Sequence, residues 1–302
     1  MFQKSKEYVA NLLPFKPNKN NKQEIIDEVS KEKIKEKMLI YQNHKDNNDL
    51  KVLQQIYDEV YKYNHIDQNQ KRFIKSIESN SQLFSYYSIK QLQEKHKMLK
   101  LCSKFREVRG DGNCFYTALG FRFLQILLGE QNQSQFLSFL DKIELIDLQF
   151  IQYFKNQKIP EEIQKSLLNE YLFRLCQMRL IEDQEQRLIN LVEQYKAFEP
   201  KDDIDGYFFA LTTIFFRNIS YYVASKSELA ENIFDKDNLL IWGEECNNNE
   251  IIIKELAEFL RVMIVLVFIN KGTVQSVEYS GELHYHQILL LFQPGHYNIG
   301  FE

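Results

Sequence analysis

Residues 108–118 organise the chain and read Val108-Arg109-Gly110-Asp111-Gly112-Asn113-Cys114-Phe115-Tyr116-Thr117-Ala118. Gly110 and Gly112 permit backbone angles that a residue with a Cβ resists, so the segment before the cysteine predicts a tight loop. Asn113 is a favourable N-cap, and the apolar run after it predicts a buried helix. Cys114 then lies in the first helical turn, where unpaired backbone N–H groups and the helix dipole favour the thiolate. The same N–H groups can face an oxyanion that forms beside the sulfur.

The composition of the chain excludes several classes of protein. Its 302 residues are 44% hydrophobic and 14% aromatic, which indicates a globular protein rather than a disordered one. The formal net charge of −4 argues against nucleic acid as the main partner. The first residues are charged, no apolar run is long enough for a bilayer, and the four cysteines form no C-x-x-C pair. We therefore expect no membrane partner and a reducing, cytoplasmic or nuclear location.

Hydrophobic patterns predict a helical body and a small sheet near the C-terminus. Helices are expected at residues 23–42, from about 50, and at 89–101, 161 onward, 183–195, 207–222 and 251–260. The 207–222 segment is apolar on all sides and is predicted to be the central buried helix. Strands are expected at residues 105–108, 262–269, 273–279, 287–292 and 296–301, with 262–269 buried on both faces.

The first 78 residues predict a helical and polar N-terminal extension, and residues 79–302 predict the main domain. In the extension, the 23–42 helix has a loose apolar stripe of Ile25, Ile26, Val29, Ile34, Met38 and Leu39. One interpretation is a solvated extension that packs on the domain. The other is an arm that docks a partner protein.

A cysteine hydrolase needs an imidazole to take the thiol proton and a group that orients the imidazole. Of six histidines, His296 follows the Pro294-Gly295 turn and begins a predicted strand. Residues i and i+2 of a strand share a face, so Asn298 is expected beside His296. Cys114, His296 and Asn298 are therefore a candidate triad. The alternative for Cys114 is a buried small hydrophobic residue at a helix start.

The remaining histidines and cysteines have simpler interpretations. His284 and His286 are expected to share a strand face, a spacing that suits a metal, but no third ligand is evident and no metal site is predicted. The histidines in charged helical contexts are expected at the surface, namely His44, His65 and His96. The cysteines in apolar or helical contexts are expected to be inert, namely Cys102, Cys176 and Cys246.

Two segments of the chain resemble motifs of a known family. Arg109-Gly110-Asp111-Gly112-Asn113-Cys114-Phe115-Tyr116 resembles the cysteine box of the ovarian-tumour-domain deubiquitinases. Pro294-Gly295-His296-Tyr297-Asn298-Ile299 resembles the histidine box of their otubain branch. The resemblance covers roughly residues 79–302. It implies an α/β (α+β), papain-like cysteine protease with a helical body around a small C-terminal, mostly antiparallel sheet.

The resemblance also implies an activity, namely hydrolysis of the isopeptide bond after the C-terminal glycine of ubiquitin. The reaction uses a thioester acyl-enzyme and neither a metal nor an organic cofactor. Carried over by position, Cys114 is the nucleophile, His296 the general base and acid, and Asn298 the orienting residue. Asp111 matches the aspartate usually counted with the active site.

From the residues alone, Asp111 is expected to shape the loop whose amides line the oxyanion hole, at Gly112, Asn113 and Cys114. Two positions depart from the family pattern. Asn298 stands where some otubains have aspartate, and an amide orients the ring without adding charge. Thr117 stands where the family often has arginine.

The resemblance implies ubiquitin and polyubiquitin chains as partners. Trp242-Gly243 is a candidate for the wall of the channel that admits the ubiquitin tail. A second hypothesis is a non-catalytic protein that holds a ubiquitin-conjugating enzyme through an N-terminal arm, at residues 23–63. A third is a protease for another ubiquitin-like modifier.

Overall fold

The computed structural model describes residues 21–42, 47–61, 72–154, 157–196, 204–233, 235–244, 249–281, 284 and 286–302. Its α-helices are α1 (Asn21–Gln42), α2 (Asn47–Tyr61), α3 (Asn80–Tyr86), α4 (Leu92–Leu101), α5 (Cys114–Gln125), α6 (Gln133–Leu145), α7 (Glu161–Leu180), α8 (Gln184–Lys196), α9 (Tyr207–Lys226) and α10 (Asn249–Leu260). A π-helical turn, Ile126–Glu130, continues α5. No helix in this described part of the chain combines the length and the apolar character that a bilayer requires.

A six-stranded sheet crosses the molecule. Its strands are β1 (Ile74–Glu78), β2 (Lys104–Val108), β5 (Val262–Asn270), β6 (Thr273–Tyr279), β7 (His286–Gln293) and β8 (His296–Phe301). They lie in the order β1-β2-β8-β7-β5-β6, and only the β5–β7 pair is parallel. Two short strands, β3 (Tyr153–Phe154) and β4 (Gln157–Lys158), form a separate ribbon.

The α+β fold is confirmed, and the central strand β5 is buried on both faces as expected. Ile264 and Leu266 belong to one core cluster, whereas Val265 and Val267 belong to the other. Four of the six strands come from the C-terminal region, whereas β1 and the predicted strand β2 precede the cysteine and extend the sheet from β8. Because β1 is only five residues long and lies at the sheet edge, its sequence carried too little alternation to be recognised.

The central buried helix is confirmed as α9, which packs against α5. Their close approach depends on Gly120, since a Cβ there would lie 2.9 Å from the Phe216 ring. The ring therefore occupies the space that a side chain on α5 would take. This contact holds α5, which begins at Cys114, on the main core.

The two N-terminal helices pack on the body, α1 against α6 and α7, and α2 against α7 and α9. On α1, Ile34 and Tyr41 are buried, and Lys37 forms ion pairs of 3.0 Å with Asp141 and 2.5 Å with Glu144. The predicted apolar stripe is only partly correct, since three of its members are exposed, namely Ile26, Val29 and Leu39. The domain boundary at residue 78 stays a prediction, although β1 before it is hydrogen-bonded to β2 after it.

Candidate active site

The loop between β2 and α5 brings Cys114 to a helix N-terminus. Cys114 is 2% exposed and is the first residue of α5. Gly112 has φ +73°, a conformation that favours glycine, and a Cβ there would overlap the Gly243 carbonyl. Thr117 is buried in the first turns of α5, and its N–H donates to the Asn113 carbonyl at 2.9 Å. The departure from the family pattern at Thr117 thus leaves the helix start intact.

Asp111 joins two parts of the loop through its carboxylate. Oδ2 accepts from Arg109 Nε at 3.0 Å and Nη2 at 2.7 Å, while Oδ1 accepts from the Asn113 N–H at 3.0 Å. The carboxylate therefore fixes the loop ahead of Cys114. The same bond occupies the Asn113 N–H in this structure. The assignment of the Gly112, Asn113 and Cys114 amides to the oxyanion hole stays a prediction.

His296 and Asn298 lie on the same face of β8, with 3.0 Å between Nε2 and Oδ1. Asn298 Oδ1 also accepts from the Val108 N–H at 2.8 Å. Because a backbone N–H can only donate, this bond identifies the amide oxygen, and Nε2 must be the protonated nitrogen of a neutral ring. His296 Nδ1 is then the acceptor. It faces the cysteine loop, where a Cβ on Gly110 would lie 3.5 Å from it.

The amide nitrogen of Asn298 donates to Tyr87 Oη at 2.8 Å. Asn298 is completely buried and Tyr87 is 5% exposed. Burial raises the pKa of the Tyr87 phenol, so it stays neutral. Sequence reasoning missed Tyr87, because the end of α3 has no motif that links it to β8.

A second residue that sequence reasoning missed is Arg217, which is fully buried on α9. Its Nε and Nη2 donate to Asn113 Oδ1 at 3.0 and 2.7 Å. The Asn113 side chain therefore accepts from Arg217 instead of capping α5, contrary to the N-cap prediction for that side chain. An arginine inside an otherwise apolar helix was the one available signal, since a buried cation requires partners.

The segment around Trp242 and Gly243 lies against the cysteine loop. The Gly243 carbonyl packs on Gly112, and the Trp242 indole stacks on Phe154 with 5.4 Å between ring centroids. The backbone N–H of Trp242 donates to the Tyr153 carbonyl at 2.8 Å. Both residues therefore lie next to the site, and their role as a channel wall stays a prediction.

The other sequence-predicted histidines lie apart from the site. His96 and His284 are exposed, as expected for His96. His286 Nδ1 lies 3.0 Å from Glu130 Oε2. Within the described ranges, no three His, Cys, Asp or Glu side chains converge on one point that could hold a metal. His44 and His65 lie outside the described residues.

Burial keeps the thiols of Cys102 and Cys176 protonated. It raises the pKa of Cys102 to about 11 and that of Cys176 to about 12. Since the thiolate is the nucleophile, both fit the inert role that was predicted. Cys246 lies outside the described residues.

Comparison with known proteins gives a consistent result. The model of the peptidase C65 (otubain) family matches residues 67–301. Ubiquitin thioesterase OTUB2 of Mus musculus is 22% identical over 214 residues, which cover 67% of this chain and 83% of the relative. Ubiquitin thioesterase OTUB2 of Homo sapiens is 22% identical over 219 residues, which cover 68% and 85%.

Solved structures show the same fold. The h/ceOTUB1–ubiquitin aldehyde–UBC13~Ub complex matches with a TM-score of 0.55 at 16% identity, over 84% of this chain and 95% of that one. The h/ceOTUB1–ubiquitin aldehyde–UBCH5B~Ub complex matches with a TM-score of 0.53 at 17% identity, over 83% and 96%.

Proposed function

The chain belongs to the peptidase C65 (otubain) family, and on this premise we propose that it is a deubiquitinating cysteine protease. It would hydrolyse the isopeptide bond after the C-terminal glycine of ubiquitin, on conjugates and polyubiquitin chains. Relatives named ubiquitin thioesterase support this substrate class. The observation that carries the proposal is the His296 Nε2–Asn298 Oδ1 contact, which leaves Nδ1 facing the cysteine loop.

In the first half-reaction, His296 Nδ1 takes the proton of the Cys114 thiol, and the thiolate attacks the carbonyl carbon of the ubiquitin glycine. The carbonyl oxygen becomes an oxyanion, which we assign to the N–H groups of Gly112 and Cys114. The C–N bond then breaks, and the imidazolium gives its proton to the leaving lysine amine. The product is a thioester between ubiquitin and Cys114.

In the second half-reaction, His296 removes a proton from water, and the resulting hydroxide attacks the thioester carbonyl. The C–S bond breaks, the Cys114 thiolate leaves, and the imidazolium returns the proton to it. Ubiquitin departs with a free C-terminal carboxyl group. Asn298 holds Nε2–H throughout, so Nδ1 is the atom that exchanges protons in every step.

The proposal is tested with ubiquitin that carries a thiol-reactive group at its C-terminus, followed by mass spectrometry. We expect one adduct of ubiquitin mass, mapped to Cys114 and absent from the Cys114→Ala variant. Cys102→Ala is the matched control, because it removes a buried, protonated thiol and should leave the adduct unchanged. A folded protein that forms no adduct would contradict the proposal. Probes built on other ubiquitin-like modifiers decide whether ubiquitin is the preferred tail.

A second candidate function is the binding of a ubiquitin-conjugating enzyme without cleavage. The observation that favours it is the outer face of α1, where four large apolar residues are exposed, namely Ile26, Val29, Leu39 and Ile40. The complexes with the same fold contain UBC13~Ub and UBCH5B~Ub.

Deletion of residues 1–71 is a poor test of this candidate, because α1 and α2 contribute buried residues such as Ile34 and Leu53 to the main core. The pair Val29→Ser and Leu39→Ser changes only the exposed face. If α1 docks the enzyme, the double variant loses binding and keeps its reaction with the ubiquitin probe. If binding is unchanged, this face of α1 is not the docking surface.

A further inference from the structure

Arg217 is a buried cation whose acceptors come from three separate segments. Nη2 donates to the Gly112 carbonyl at 3.1 Å and to the Glu244 carbonyl at 3.1 Å, in addition to Asn113 Oδ1. Nη1 donates to the Leu239 carbonyl at 3.1 Å. A guanidinium with no exposure is stable only when its donors are satisfied, so these segments and the cation fix one another.

The bonds of Arg217 converge on the backbone just ahead of Cys114. The side chain spans from α9 to Gly112 and Asn113, the two residues before Cys114. Its guanidinium also stacks over the ring of Tyr116, which lies in the first turn of α5, with 4.4 Å between the guanidinium carbon and the ring centroid. Arg217 thus contacts residues that precede Cys114, Gly112 and Asn113, and one that follows it, Tyr116. A shift of this cation is therefore expected to displace the nucleophile.

We propose that Arg217 is a positioning residue for the nucleophile, which fixes the loop ahead of Cys114 and supplies a permanent positive charge near its thiolate. The inference rests on the proposed function in one respect, namely that Cys114 is the nucleophile. A guanidinium cannot deprotonate at physiological pH, so the charge is constant. Burial lowers the pKa of the Arg217 guanidinium, and the negative charge of an ionised Cys114 acts in the opposite direction; by reciprocity, Arg217 favours the ionised Cys114.

Arg179, a buried arginine on α7, provides a matched control. It is 3% exposed, and its Nη1 donates to the carbonyls of Leu127 and Leu128 at 3.2 and 2.9 Å. Its Nη2 donates to the Gln131 carbonyl at 2.8 Å. Arg179 therefore contacts the C-terminal end of α5 and its π-helical continuation, whereas Arg217 contacts the start of α5. At a rise of 1.5 Å per residue, the carbonyls bound by Arg179 lie about 20 Å along the helix axis from Cys114.

The experiment compares Arg217→Gln and Arg217→Lys with Arg179→Gln and Arg179→Lys. Three measurements are made on each variant: its Tm, the pH dependence of alkylation of Cys114 by iodoacetamide, and the steady-state kinetics (kcat and KM) on a ubiquitin C-terminal fluorogenic amide. For Arg217→Gln we expect the half-maximal pH of alkylation to rise by roughly 0.5–1 unit because the charge is lost. We also expect kcat to fall at least tenfold, with a smaller change in KM.

Arg217→Lys separates charge from geometry. A lysine keeps the positive charge but cannot bridge Asn113, Gly112 and Leu239 at once. We therefore expect a half-maximal pH close to that of the wild type together with a kcat about tenfold lower. This variant also keeps the test valid if Arg217→Gln does not fold.

The Arg179 variants should lower the Tm and leave both alkylation and kcat unchanged per folded molecule. If the Arg217 variants behave in the same way, Arg217 is only structural and the inference is overturned. Alkylation needs no ubiquitin. The two proposals can therefore fail separately. If the wild type does not cleave the ubiquitin substrate but Arg217→Gln still raises the half-maximal pH of Cys114 alkylation, the proposed function is contradicted and this inference is supported.

Discussion

The Tyr87 hydroxyl oxygen accepts a hydrogen bond of 2.8 Å from the amide nitrogen of Asn298. This bond joins the end of α3 to the side chain that contacts His296. Together with the Val108 N–H, it occupies both ends of the Asn298 amide, so the amide cannot rotate without breaking a buried bond. The orientation of the His296 ring therefore depends on residues far from it in sequence.

The first prediction concerns Tyr87→Phe. This change leaves a buried amide N–H of Asn298 without its acceptor, which costs about 1–3 kcal/mol of unfolding free energy. We also expect kcat/KM to fall several-fold, because the His296 ring is held less firmly. Urea denaturation and ubiquitin-amide kinetics measure the two effects. Tyr207→Phe is the control, since it removes one hydroxyl bond to Gln54 on an outer helix and should change stability only.

The second prediction compares Asn298→Asp with Asn298→Ala. A carboxylate still accepts from the Val108 N–H and adds a negative charge beside the imidazolium, which stabilises the thiolate–imidazolium pair. We expect the acid limb of the pH–rate profile to move to lower pH in Asn298→Asp. Asn298→Ala should lower kcat by roughly 10- to 100-fold, because the ring loses its partner and its fixed tautomer. An unchanged acid limb in Asn298→Asp would show that the side chain does not act on the imidazolium.

The third prediction uses two glycines with nearly equal φ, +73° at Gly112 and +79° at Gly295. A Cβ on Gly112 would overlap the Gly243 carbonyl, whereas a Cβ on Gly295 meets no atom within 4 Å. Gly295→Ala should therefore cost about 1–2 kcal/mol, the strain of the left-handed backbone alone. Gly112→Ala should cost more and should abolish the reaction with the ubiquitin probe, because the cysteine loop must move. Equal losses of unfolding free energy in the two variants would show that the loop accommodates the methyl group.

The fourth prediction concerns the pH dependence of the thiols. Because burial raises the pKa of Cys102 to about 11 and of Cys176 to about 12, both should resist iodoacetamide at pH 8 while Cys114 reacts. In the unfolded chain these thiols ionise near their ordinary pKa of about 9. Between this pH and the native pKa of each thiol, the native state binds more protons than the unfolded state. The contribution of each thiol to the free energy of unfolding therefore falls as the pH rises from about 9 through the native pKa. Peptide mapping and denaturation at pH 8 and pH 10 measure these effects, and labelling of Cys176 at pH 8 in folded protein would contradict them.

Local patterns in the sequence were sufficient for the elements that carry the site. The glycine loop before Cys114 predicted a helix that begins at the cysteine, because loop and helix signals act over a few residues. The two-residue period of a strand placed His296 and Asn298 on one face of β8, because side chains alternate in any strand. The strands β6 and β8 were predicted with the bounds that the structure has.

Only the tertiary structure decided which groups complete the site. The Val108 N–H reaches Asn298 because β2 pairs with β8, and Arg217 reaches Asn113 because α9 packs against α5, at a separation of 104 residues. Packing likewise decided that the Asn113 N–H serves Asp111, and that Leu39 on α1 faces outward. Periodicity shows that a residue has an apolar or polar neighbourhood, but a buried hydrogen bond requires a particular partner at about 3 Å. That partner is chosen by how distant elements pack.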